Sequence, residues 1–172
     1  MPIHLEDTNI ASEIDGIKSA LIVPCNLCPA VTVAVDKKKP FLRIFRDFLK
    51  CDPFEQYILG LQSRLGDMGV KADVFRSDIP HQWFMCMWTT SRRKKLQKHA
   101  EHYDAVIALG CDSANETVRD AVKTTGCKVI EGMEVTGIMN AKLKVSLSGN
   151  VSFEGCQVTR ISQRKNEEVF QI

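Results

Sequence analysis

Ser19-Ala-Leu-Ile-Val-Pro24-Cys25-Asn26-Leu27-Cys28-Pro29 is a short apolar run that ends in two cysteines two residues apart. The run from Lys18 to Val23 reads as a buried strand that Pro24 closes, because a continuous apolar stretch of this length fits a parallel sheet covered on both faces. In such a sheet, ligands gather where the strands end and helix N-termini converge. A helix N-terminus also stabilises a thiolate, through unpaired N–H groups and a partial positive charge. The pair Cys25 and Cys28 therefore raises a choice between metal ligands, a redox dithiol and two small buried residues.

Outward from that stretch, the chain alternates. Ala30 to Val35 is ambiguous by β-branching but reads as a helix, with Pro29 near its first turn. Phe41 to Leu49 carries apolar residues at helical spacing, and Asp52-Pro53 opens a helix that Gly69 ends. Val70 to Phe75 alternates as a strand, and Thr89 to Tyr103 reads as a basic helix. Asp104 to Leu109 is the clearest strand. Gly110-Cys111-Asp112-Ser113 follows it, then a helix over Ala114 to Thr125 and a strand over Cys127 to Ile130. After residue 142, alternation around Ser148-Gly149-Asn150 reads as a hairpin or meander. Residues 1–17 look polar and mixed, with Asp7-Thr8-Asn9 capping a short helix through Ile10 to Ile14.

These elements predict one α/β domain over residues 1–172. Its core, 18–135, is a three-layer arrangement: a mostly parallel four-stranded sheet with helices on both faces. Residues 142–162 form a C-terminal antiparallel β extension.

Composition removes several function classes. Hydrophobic residues at 44% and charged residues at 26% are ordinary for a globular protein, and a net charge of +2 gives no electrostatic case for nucleic acid. The basic run Arg92-Arg93-Lys94-Lys95 has no interleaved aromatics and reads as a solvated helix face. No stretch approaches the ~18 apolar residues that span a bilayer, and the N-terminus has no secretory pattern, so no membrane and a cytoplasmic setting are expected. The seven cysteines are an odd number in a chain of 172 residues, which argues against a disulfide framework. No glycine pattern for dinucleotides or P-loop phosphates is present, and no serine-hydrolase elbow.

Position then selects the candidates. Cys25 and Cys28 follow the first strand, Cys111 follows the Asp104–Leu109 strand, and His81 and Cys86 follow Val70–Phe75. All belong to one carboxyl edge. Three thiolates plus a fourth donor suit tetrahedral zinc, with sulfur at about 2.3 Å. Cys25, Cys28 and Cys111 are the expected ligands, and Cys86, His81 or Glu134 the fourth. His81, Trp83 and Trp88 are candidates to line a substrate or cofactor pocket, or to form an ordinary lid. Asp112 and Ser113 sit in a turn able to cradle a phosphate on backbone N–H groups. Cys51, Cys127 and Cys156 read as packing residues. Two other functions compete: a thiol–disulfide enzyme with Cys25 as nucleophile and Cys28 as resolving thiol, and a non-catalytic module that docks through the Trp83–Trp88 segment.

Cys25-Asn26-Leu27-Cys28-Pro29 looks like the dithiol turn of thioredoxin-like proteins, over those residues alone. Tyr103 to Val118, with the upstream pair and Gly132-Met133-Glu134-Val135-Thr136-Gly137, resembles the cysteine-rich C-terminal domain family associated with methylenetetrahydrofolate reductases. The likeness covers roughly residues 18–140, with Asp112 standing where that family favours glycine. It implies a metal-holding accessory module of one-carbon metabolism, near folate or corrinoid chemistry, with Cys25, Cys28 and Cys111 at the matching positions. A partner enzyme of that metabolism and a small-molecule substrate are then expected.

Overall fold

The computed structural model describes residues 2–44, 51–76 and 84–161. Its elements in chain order are β1 (Ile3–Asp7), β2 (Ser19–Pro24), α1 (Cys28–Asp36), β3 (Leu42–Arg43), α2 (Asp52–Asp67), β4 (Lys71–Val74), α3 (Thr90–Ala100), β5 (Ala105–Leu109), α4 (Asp112–Val122), β6 (Lys128–Glu131), β7 (Met133–Val145) and β8 (Asn150–Arg160). Single 3-10 turns lie at Ile10–Ser12 and Met85–Met87.

The fold is mixed α/β, with a parallel sheet in the order β4-β2-β5-β6. Its inner strands, β2 and β5, are apolar on both sides because both sides are covered. Ala20, Ile22, Ala105, Ile107 and Leu109 join one buried cluster with Ala30 and Val33 of α1 and Phe54, Ile58 and Leu65 of α2. The alternate residues Leu21, Val23, Val106 and Ala108 join a second cluster with Leu96 and Ala100 of α3 and Val118 and Val122 of α4. The period of two along each strand thus assigns one helix pair to each face. Proline early in α1 and α2 fits their openings, since the missing N–H is one that no helix uses.

The C-terminal strands are more than an appended hairpin. They form a second four-stranded sheet, antiparallel, in the order β1-β7-β8-β3. The N-terminal residues, read above as polar with a short helix, supply β1, whose Ile3 to Asp7 pair with Ile138 to Met133. Only the turn Ile10–Ser12 answers to the expected helix, with the Asn9 side chain accepting from the Ala11 N–H at 3.2 Å. The helical spacing from Phe41 misleads at its start, where Leu42 and Arg43 pair with Val151 and Asn150; residues 45–49 of that stretch lie outside the described residues. Leu5, Met133, Met139 and Val151 carry this second sheet into the same cluster as α1 and α2. The sheet therefore covers α1 on the side away from β2.

Among the described residues, no helix is long and apolar enough to cross a membrane.

Candidate functional site

Parallel pairing of β2 with β5 aligns Pro24 with Leu109, and the next amide, of Cys25, donates to the Leu109 carbonyl at 2.9 Å. That bond carries the sheet register one residue past β2 and sets Cys25 beside Gly110 and Cys111. Gly110 is required here. A Cβ on it would collide with the Ala114 methyl and lie 3.7 Å from the Cys25 Cβ. Cys111 caps α4, its carbonyl accepting from the amides of Ala114 at 2.8 Å and Asn115 at 2.9 Å. Cys28 is the first residue of α1, after Leu27 at the cap. Cys86 lies in the Met85–Met87 turn and is exposed.

Two of these thiols, Cys25 and Cys28, feel their neighbours. Burial, first, raises Cys25 from 9.0 to about 11; negative charge on Cys28 or Cys111 adds to this, and the backbone of Met85 and Leu27 opposes it. Burial likewise raises Cys28, with Cys111 and Cys86 adding and the backbone of Ile3 opposing. Each of these thiols thus feels two others, and they come from the β2–α1 turn, the β5–α4 turn and the turn before α3. At neutral pH Cys25 and Cys28 are protonated, because burial penalises the thiolate and neighbouring thiols add to that. Among the described residues, no three His, Cys, Asp or Glu side chains are placed so as to hold a metal ion.

The other candidates fall elsewhere. Asp112 and Ser113 are exposed in the first turn of α4. His81 and Trp83 lie outside the described residues. Glu134 sits in β7, exposed and paired in register with Glu6 of β1, and neither Cys25 nor Cys28 feels its charge. Trp88 is buried at 7% exposure against the Phe75 ring, 5.9 Å between centroids. Its packing role leaves Phe84 and Met87 as the exposed apolar residues of that segment.

The basic run is not wholly a solvated face. Arg92 is 7% exposed, and its guanidinium lies 4.6 Å from the Phe75 ring centroid and 4.9 Å from that of Trp88. Arg93 pairs with Asp120 at 2.8 Å. Cys51 and Cys127 behave as packing residues. The Cys51 thiol donates to the Ala30 carbonyl at 3.6 Å, and Cys127 sits 2.8 Å from both the Ala100 and Tyr103 carbonyl oxygens.

Sequence reasoning passed over Asn115. It is 1% exposed, and neither its amide oxygen nor its amide nitrogen has a hydrogen-bond partner among the described residues. It stands four residues after Cys111, in the same row of the helix, and side chains in that row lean toward the N-terminus. The signal was present: a lone amide among Ala114, Val118, Ala121 and Val122, a buried apolar stripe. An unpaired buried amide costs about 1–3 kcal/mol, so it marks a place where something polar is owed a contact.

No protein-family model matches the chain, and no curated protein matches it.

Proposed function

We propose that Cys25, Cys28 and Cys111, with Cys86 as the fourth donor, form a thiolate site for a soft divalent cation, zinc foremost. The supporting observation is that Cys28 and Cys111 lie near enough to act on the Cys25 thiol, and Cys111 and Cys86 on that of Cys28, though they come from three separate turns. Burial first, and repulsion between thiolates after it, keep Cys25 and Cys28 protonated, and a bound cation would offset both. Zinc–thiolate bonds need deprotonated sulfur, so binding displaces protons and closes the cluster about the ion. A metal held this way supplies Lewis acidity, lowering the pKa of a bound thiol or water.

The protein's own part is to hold the donors. The β2–β5 register fixes Cys25, and Cys28 and Cys111 are set at the N-termini of α1 and α4. Cys86, exposed, is the donor that substrate would displace. The amide of Asn115, leaning toward Cys111, is available to a polar group arriving there. The resemblance to the one-carbon accessory family extends this reading to methyl-carrying or thiol substrates. Burial of Cys25 works against the dithiol alternative, because a nucleophilic cysteine needs an accessible, low-pKa thiolate.

Metal analysis of protein purified under reducing conditions is the test. About one equivalent of zinc, lost in Cys25→Ser and Cys111→Ser and kept in Cys127→Ser, is expected. Zinc below a tenth of an equivalent after reconstitution, with every thiol freely titratable, removes the proposal.

A further inference from the structure

A second site lies away from the thiols, between the segment after β1 and the outer side of α2. It is a cavity of about 160 Å³ walled by Ile10, Leu61, Leu65 and Met68. A cavity near 150 Å³ is about the size that admits one benzene ring. Of its polar side chains, Thr8 bonds to the Glu131 carbonyl and Asn9 to the Ala11 N–H, which leaves Asp7, Tyr57 and Arg64. The Tyr57 hydroxyl donates to Asp7 Oδ1 at 2.8 Å, and the Arg64 guanidinium faces the same hydroxyl. An acceptor and a donor of opposite charge therefore adjoin the same Tyr57 oxygen. Their charges cancel, which disfavours an ion and favours a neutral, dipolar edge. Burial and Asp7 keep the Tyr57 phenol protonated, so it adds no charge.

We infer that this cavity binds a small planar heterocycle carrying adjacent N–H and C=O groups, such as a pyrimidine lactam. The ring lies against Leu61, Leu65 and Ile10; the N–H donates to Asp7 and the C=O accepts from Arg64. Apolar walls with a few convergent polar groups are the usual make-up of such sites. None of the residues used here belongs to the thiol cluster, so the inference stands independently of the metal proposal.

Uracil is the probe, titrated into the isotopically labelled full chain and followed by backbone amide shifts. Binding with a Kd on the order of millimolar is expected for so small a ligand, with shifts at residues 8–11 and 61–68. Asp7→Asn and Arg64→Gln, both exposed positions, should each weaken it about tenfold, the effect of losing one charge-assisted hydrogen bond. 1,3-Dimethyluracil, which lacks the N–H, should not bind, while Lys144→Gln, on the distant β7–β8 hairpin, should bind uracil as the parent does. Equal binding by dimethyluracil, or by benzoate held through Arg64 alone, overturns the inference. So does unchanged affinity in both variants, or the absence of shifts in these segments up to about 20 mM uracil, well beyond the millimolar range expected.

Discussion

The backbone N–H of Cys25 donates to the carbonyl of Leu109 at 2.9 Å, so the end of one strand is tied to the residue before Gly110-Cys111. Thiols 86 positions apart in the chain are neighbours for that reason. A parallel register, once set by Ala20 against Ala105, determines which turn residues meet.

Metal affinity should rise with pH. Cys25 and Cys28 have raised pKa values and are protonated at neutrality, so each proton displaced on binding steepens the dependence by about tenfold per pH unit below its pKa. Zinc competition titrations between pH 6 and 8 should therefore show apparent affinity climbing by a factor of about ten to a hundred per unit. A flat profile would mean that neither thiol is a ligand.

Metal-free protein should lose stability in alkali. Cys25 and Cys51 are both shifted from 9.0 to about 11 by burial, so the folded state holds protons that the unfolded chain releases. That stability is complete below pH 9 and is lost as pH rises through about 11. Each group is worth about 2–3 kcal/mol at most. Urea unfolding under reducing conditions at pH 8 and pH 10.5 measures the drop, and Cys51→Ala should make it smaller.

Asn115→Leu should raise the stability of the ligand-free protein by about 1 kcal/mol, because it replaces a buried, unpaired amide with an apolar group of similar shape. Asn115→Asp should lower it by several kcal/mol, since it buries a charge with no partner. Denaturant midpoints check both. A destabilised Leu variant would show that the amide has a polar contact in solution.

Gly110→Ala should cost about 1–3 kcal/mol, the usual range for overpacking, because the new methyl meets the Ala114 side chain. Relief requires α4 to move away from β5, and Cys111 moves with it. Thermal unfolding should report the loss. On the metal reading, zinc content should fall even at temperatures where the variant is folded.

The parallel half of the fold was legible because its signals are local. Ala105-Val-Ile-Ala-Leu109 is buried throughout and can only be an inner strand, and Asp52-Pro53 marks the start of α2, although Cys51 and not Asp52 is its cap. The antiparallel half was not, because its signals are distant. In β1 only Leu5 is buried, and Glu6 faces Glu134 across the pair, so the brief alternation Ile3-His-Leu-Glu6 is too short to announce a strand until β7 is present. Arg92 misled for a similar reason. Its neighbours are charged, while the two rings that cover it come from Phe75 and Trp88, outside its own helix. The cysteine positions could be placed by counting turns after strands. Asn115 could be noticed but not explained, since only burial reveals that its amide is unpaired.

Because β1 finds its partner on β7, with His4 bonded to Thr136 across 132 positions, the ribosome imposes a delay. At 5–20 residues per second, the first strand waits roughly 6–25 s for its mate to emerge. During synthesis Leu5 has no sheet to join, and its uncovered backbone is open to wrong pairings. Nascent chains arrested before residue 133 should therefore be the ones that chaperones hold and proteases trim.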